Sequence, residues 1–154
     1  MPHKALDIAT HIIKTSIDAG DPVTNKKLQK LLYYAQVWHY TLFNDTRLFS
    51  DELEAWVHGP VVPKVYGYYK DFNFSPIQLD EKIRLITLTK REQSFLRNIW
   101  DVYGKYDGDY LEALSHSEEP WREARRGLEA HAPSKAKINL NTAKAFYGKK
   151  LKGG

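Results

Sequence analysis

The sequence predicts a mainly α-helical, compact single-domain fold with at most one short β element of two or three strands. Apolar residues recur at helical spacing through most of the chain. Helix start signals stand in front of several of these segments, as at Thr89, where Thr-Lys-Arg-Glu forms a capping box. The length of 154 residues suits one domain, and a hydrophobic share of 42% is enough for a single core.

The first two helices are predicted over residues 4–19 and from Asn25 to about Phe43. Gly20 is a stop signal for the first, and Thr24 can cap the second. Along the second helix we expect a buried apolar face, formed by Leu28, Leu31, Leu32, Ala35, Trp38, His39 and Leu42. The opposite side is predicted to be a polar and aromatic stripe of Lys26, Gln29, Tyr33, Gln36 and Tyr40.

A short strand is predicted at residues 53–58, where side chains alternate in character. Gly59-Pro60 should end it. A short helix over residues 61–70 follows, with Pro63 in its first turn, where a missing N–H costs nothing. Residues 83–88 are the expected partner strand.

The C-terminal half is predicted to hold four short or medium helices. The capping box at Thr89 opens the first, which Gly104 ends. A second box of the same spacing begins at Asp109, and Ser117 can cap the third helix. The last helix is expected within residues 138–151.

Composition limits the class of protein. The net charge is +4 and there is no cysteine, so the sequence offers neither a disulfide framework nor a thiolate metal site. We find no apolar segment long enough to span a bilayer and no leader-like N-terminus, and we expect a cytoplasmic protein without a membrane partner. Basic residues concentrate after Arg122. We therefore divide the chain into a domain at 1–130 and a basic extension at 131–154 that packs on the domain or extends from it.

Catalytic motifs are missing from the sequence, including a Gly-rich phosphate loop, a nucleophile elbow and a paired-histidine metal motif. His58 and His116 could meet in space beside Glu54 or Glu112, and an imidazole there could act as a general base. The alternative is that each histidine bonds the backbone and fixes a turn. The sequence favours the second interpretation, so we expect no enzyme, no cofactor and no metal.

A nucleic-acid partner is a minor alternative. The first two helices are compatible with a helix-turn-helix, and the second begins with side chains that can contact bases and phosphates: Asn25, Lys26, Lys27, Gln29 and Lys30. The modest net charge argues against a dedicated nucleic-acid binder.

Three stretches in order resemble one known family. They are NKKLQKLLYYAQVWH at 25–39, EAWVHGPVVPKVYGYYK at 54–70 and LEALSHSEEPWREAR at 111–125. Together they are similar to the Panacea domain, the antitoxin domain of the SocA-like family of bacteria and their phages. The resemblance extends from about residue 5 to 126.

The resemblance implies an antitoxin of a toxin–antitoxin system, in a setting of phage defence. Such a protein neutralises a cognate toxin, encoded by an adjacent gene, by direct protein–protein binding. An alternative known in the family is a proteolytic adaptor that delivers the toxin to a AAA+ protease. A DNA-binding regulator is a further alternative, and a histidine-dependent enzyme is the least favoured.

We assign two groups of residues on this basis. One group should fix the corner between strand and helix and support it: Trp56, His58, Gly59, Pro60, His116 and Trp121. The other group contains long basic and aromatic side chains, the types that dominate protein interfaces. These candidate toxin contacts are Tyr33, Tyr40, Lys64, Tyr66, Tyr68, Arg122 and Arg125.

Overall fold

Helix α2 is the central element of the computed structural model, which describes residues 1–153. The described chain has seven α-helices: α1 (Ala5–Asp18), α2 (Asn25–Leu42), α3 (Pro63–Tyr69), α4 (Lys90–Tyr103), α5 (Gly108–His116), α6 (Glu119–Ala124) and α7 (Leu140–Gly153). Strands β1 (Glu54–Trp56) and β2 (Gly59–Val61) form an antiparallel pair. Helices α1, α3, α4, α5 and α7 and strand β2 all contact α2. The predicted mainly α fold class with one small β element is confirmed.

Side-chain caps account for where several helices begin. Thr24 Oγ1 accepts a hydrogen bond from the Lys27 backbone N–H, and Thr89 and Glu92 form the complete capping box at the start of α4. The prediction for α5 is wrong by two residues, because Asp107 and not Asp109 caps it, accepting from the Tyr110 N–H. The prediction for α6 is also wrong: its N-cap is Glu118, which makes no side-chain cap bond.

Helix α2 is buried on nearly all sides, so most of the predicted polar and aromatic stripe packs against other parts of the same fold. Gln29, Tyr33 and Gln36 are each at most 1% exposed. A buried polar side chain must be hydrogen-bonded, and Gln36 meets this requirement by accepting from the Leu48 and Phe49 N–H groups and donating to the Phe49 carbonyl. The polar residues of α2 therefore connect the core helix to the loops around it.

The β pair is a tight hairpin rather than the pairing expected from the sequence. Glu54 pairs with Val61, and Trp56 pairs with Gly59. Gly59-Pro60 begins the second strand instead of ending the sheet, since Gly59 adopts φ 110°, a left-handed conformation open to glycine. Residues 83–88 are not a strand. The partner on the other side of β1 is the segment 136–138, where Ala136 and Ile138 bond to residues 55 and 53.

The C-terminal segment continues the core. Helix α7 packs against α2 and α6, and the Tyr147 side chain is fully buried. Its hydroxyl lies 2.8 Å from that of Tyr33 and donates to Glu118 Oε1 at 3.0 Å. Tyr34 donates to the same carboxylate oxygen at 2.7 Å. This buried network joins α2, α6 and α7 around one carboxylate, and it places residues on both sides of position 130 in a common interior.

Candidate functional site

The three motifs of the sequence converge on the β hairpin. From the first motif, Gln29 Oε1 accepts from the Val62 N–H at 2.9 Å. Gln29 also donates to Asn25, whose amide in turn donates to the Tyr66 carbonyl at 3.1 Å. The amides of α2 thus determine where β2 ends and where α3 lies.

Lys30 passes beneath the hairpin turn. Its side chain is 1% exposed, and its Nζ donates to the Pro60 carbonyl at 3.3 Å. A β-carbon on Gly59 would overlap the Lys30 methylenes. Position 59 therefore requires glycine for two reasons: its backbone conformation and the close approach of the Lys30 side chain.

The third motif holds the other side of the hairpin. Trp121 Nε1 donates to the Trp56 carbonyl at 2.8 Å, and the Trp121 ring stacks on His116 at 3.8 Å between centroids. Arg125 donates to the Ala55 carbonyl at 2.9 Å and to the Ala132 carbonyl at 2.6 Å. The hairpin is thus supported from both sides. Three of the corner residues belong to it (Trp56, Gly59 and Pro60), and two contact it or support that contact from α5 and α6 (His116 and Trp121).

A cavity of about 870 Å³ opens beside this hairpin. Its walls come from the start of α2, the hairpin, the end of α3 with the turn after it, and residues 131–135. The lining combines aromatic rings (Trp56, Tyr66, Phe74) with cationic or titratable side chains (Lys26, Lys30, Lys70, Lys135, His58, His131). No Asp or Glu is among the lining residues described.

Two carboxylates of α5 form ion pairs with one of these lysines. Lys26 Nζ lies 2.6 Å from Asp109 Oδ1 and also pairs with Glu112. Burial by itself would lower the pKa of Lys26, but the hydrogen bonds that Lys26 donates to these two carboxylates outweigh it and raise the pKa. Burial alone dominates at Lys30 and lowers its pKa to about 7. The two lysines of α2 therefore differ: one is held charged and the other is easily deprotonated.

The two histidines of the motifs do lie near a common carboxylate. His58 Nδ1 is 3.4 Å from Glu112 Oε2, and Glu112 also acts on His116 by charge. His58 is exposed, whereas burial lowers the pKa of His116, whose Nε2 has no hydrogen-bond partner among residues 1–153. Within residues 1–153 no group of three or more His, Asp or Glu side chains is arranged to hold a metal ion.

The structure separates the candidate contact residues into exposed and buried ones. Lys64, Tyr66, Tyr68 and Arg122 are exposed, and Tyr40 is half-buried with its hydroxyl bonded to Asn141. The expectation that Tyr33 and Arg125 are surface contacts is wrong, because both side chains are buried in the internal networks already described. Tyr33 packs against Tyr147 of α7, and Arg125 donates into the backbone of β1, so neither side chain is exposed.

The start of α2 is also not a base-reading surface. Asn25, Lys27, Gln29 and Lys30 are buried, and Lys26 is paired with two carboxylates. The predicted helix-turn-helix contacts are therefore unavailable in this structure.

Sequence reasoning missed Phe74, which is 93% exposed. We give the name aromatic patch to the exposed rings of Phe74, Tyr66 and Tyr68, of which the two tyrosines are 38% and 64% exposed. Tyr66 and Phe74 line the cavity, whereas Tyr68 lies two positions from Tyr66 in α3 and faces another side of that helix. The signal available was a phenylalanine in the irregular segment DFNFSP, which also holds Phe72, and such segments commonly lie at the surface.

Comparison of the chain with models of known protein families shows which family it belongs to. The model of the family described as "Antitoxin SocA-like, Panacea domain" matches residues 28–122, more than half of the chain. The chain belongs to this family. The match contains most of α2, the hairpin, the aromatic patch and the Trp121 contact, and the Panacea resemblance seen in the three motifs is confirmed.

The Panacea-domain match ends before α7, although α7 supplies Tyr147 to the core. No curated protein and no solved structure matches the chain significantly. Among the described residues, no helix of this Panacea protein has the length and apolar character needed to cross a membrane.

Proposed function

We propose that this protein is an antitoxin that neutralises a cognate toxin by binding it directly, in the cytoplasm and without a catalytic step of its own. The observation that supports this proposal is membership of the SocA-like antitoxin family across the region where the three motifs meet. The partner is expected to be encoded next to this gene.

The aromatic patch is the surface that best suits such a partner. Tyr66, Tyr68 and Phe74 expose large apolar area, and Lys64 lies beside them on α3. Tyrosine and other aromatic side chains provide much of the binding energy in protein interfaces, and exposed apolar area of this kind commonly marks interaction sites.

The scaffold behind the patch is suited to hold it in place. Asn25 bonds the Tyr66 carbonyl, and Gln29 bonds the Val62 N–H at the start of α3. Both amides are buried and belong to the central helix. A surface held in this way loses little conformational entropy on binding, which favours affinity.

The test is expression of each adjacent open reading frame in a bacterial host, with and without this protein, followed by colony counts. Relief of killing supports the proposal, and the two proteins should then co-purify. Toxicity that this protein does not relieve, or no toxicity from either neighbour, contradicts it. Immunoblots of the toxin separate two modes of neutralisation: a constant toxin level means sequestration, and a fall that requires a AAA+ protease means delivery for degradation.

A further inference from the structure

The cavity beside the hairpin has the size and lining of a ligand site. Its volume of about 870 Å³ lies within the range of small-molecule pockets, which is roughly 300–1,000 Å³. It is formed by segments distant in sequence, from Asn25 at one end to Lys135 at the other. The cavity shares Tyr66 and Phe74 with the aromatic patch, whereas Tyr68 is not among its lining residues.

The charges of the lining are uncompensated on the open side. Lys70 and Lys135 are exposed and belong to different segments of the lining, and within residues 1–153 neither lies within 4.0 Å of a carboxylate oxygen. Lys30 adds a buried amine whose one hydrogen bond is to the Pro60 carbonyl. An ammonium group has three N–H donors, so Lys30 has unused donor capacity.

The aromatic rings line the same space. The rings of Trp56 and Tyr66 meet edge to face with centroids 5.2 Å apart, and the Phe74 side chain is almost fully exposed. Rings in this arrangement can contact the flat face of an aromatic ligand, as they do when proteins stack nucleobases.

Lysine chemistry indicates which anion suits the site. The lining has lysines and no arginine. Arginine recognises flat carboxylates through paired parallel hydrogen bonds, whereas lysine acts as a point charge and is a common partner of phosphate. Amines on separate walls match a group whose oxygens point in several directions.

We propose that this cavity binds a small phosphorylated ligand with an aromatic ring, of nucleotide size. The phosphates lie among Lys30, Lys70 and Lys135, and the ring lies against Trp56, Tyr66 and Phe74. This proposal does not depend on the antitoxin function, because the site is defined by the free protein.

Ligand binding should be coupled to protonation of the Lys30 amine. Its pKa is about 7 because burial disfavours the ammonium form. The charged and titratable groups around it are Lys26, Glu112 and His116, and His58 contacts the same Glu112. A bound phosphate favours the charged amine, so binding near pH 7.5 should take up protons, and affinity should fall as pH rises above about 7.

Isothermal titration calorimetry of the purified full chain with ATP, inorganic triphosphate and adenosine tests the proposal. We expect ATP to bind about tenfold more tightly than either fragment, since both halves of the site contribute. No binding of ATP at millimolar concentration overturns the proposal. So does equal binding of inorganic triphosphate and ATP, or binding of a glutamate-rich peptide in place of ATP.

Matched variants locate the site. Lys70→Glu combined with Lys135→Glu should weaken ATP binding by about tenfold or more, and Phe74→Ala should also weaken it. Lys149→Glu alters an exposed lysine of α7 outside the cavity and should leave binding unchanged. Titrations in two buffers of different ionisation enthalpy should show proton uptake that Lys30→Met abolishes. Loss of binding in Lys149→Glu to the same extent, or retention of binding in the cavity variants, contradicts the assignment.

Discussion

The side chain of Lys30 occupies the space that a β-carbon on Gly59 would need. Gly59 also has φ 110°, so an L side chain there is strained even without a neighbour. We therefore expect Gly59→Ala to lower the free energy of unfolding by about 2–3 kcal/mol. Urea denaturation followed by circular dichroism measures this.

Gly67 is the matched control for that substitution. It lies within α3, and a β-carbon there meets no atom within 4 Å. Gly67→Ala should raise stability by about 0.5–1 kcal/mol, since alanine favours the helix. Equal effects of the two substitutions would contradict the Lys30 contact.

Replacing Lys30 by methionine should stabilise the protein at neutral pH. The folded-state pKa is about 7, below the usual 10.5, so the unfolded chain holds the proton more tightly between these values. The free energy of unfolding of the wild type should therefore rise with pH between these two pKa values. Below the lower value the buried amine is charged in the folded state, and its destabilising effect is greatest there. Lys30→Met removes the cost, with an expected gain of about 1–4 kcal/mol at pH 6. Chemical denaturation at pH 6, 8 and 9.5 checks both the gain and the loss of pH dependence, and an unchanged slope would disprove the explanation.

Glu118 should make the protein less stable as pH rises. Burial raises the pKa of its carboxyl, against the hydrogen bonds from Tyr34 and Tyr147. The folded state therefore holds this proton above pH 4.5, where the unfolded chain releases it, and stability falls as pH increases through the raised pKa. Glu118→Gln should remove that fall, measured as the difference between wild type and variant from pH 4.5 to 8. The exposed Glu129→Gln should show no such difference.

Arg125 and Arg122 should behave oppositely although they are one turn apart in sequence. Arg125 is buried and donates to backbone carbonyls of β1 and of the loop before residue 133, so Arg125→Ala leaves those carbonyls unpaired. We expect a loss of about 3 kcal/mol, and Arg125→Lys should recover little of it because lysine cannot span both acceptors. Arg122→Ala should change stability by less than about 0.5 kcal/mol. Thermal unfolding of the three variants distinguishes them.

The aromatic patch should matter for the partner and not for folding. Tyr68→Ala combined with Phe74→Ala should keep the melting temperature, since both side chains are exposed. The pair should weaken toxin binding by about 2 kcal/mol or more and reduce protection of cells. Val102→Ala on α4 is the control, because Val102 is also exposed and lies away from the patch. Protection equal to wild type in the double variant would exclude the patch from the interface.

The sequence predicted the helices well where local chemistry decides them. Thr24 and the Thr89 box are caps that act through neighbouring N–H groups, so they operate as the sequence suggests. The motif residues around Gly59 were predicted to form a corner between strand and helix, and they lie instead in a hairpin whose second strand leads into α3.

Predictions failed where distant packing decides. Nothing near Tyr33 in sequence shows that Tyr147 covers it, more than a hundred positions later. A polar stripe on a helix usually faces water, but each polar group of α2 finds a partner in another element. The cavity was likewise invisible, because its lysines and rings come from four separate segments.

Synthesis order gives the placement of α7 a further consequence. The central helix emerges from the ribosome early, yet the helix that covers Tyr33 and Glu118 is made after every other element it touches. A growing chain therefore carries an open seam along α2 until residues 140–153 have been synthesised. Proteolytic loss of α7 would reopen that seam, and the amount of working protein in a cell would then depend on how well α7 is protected.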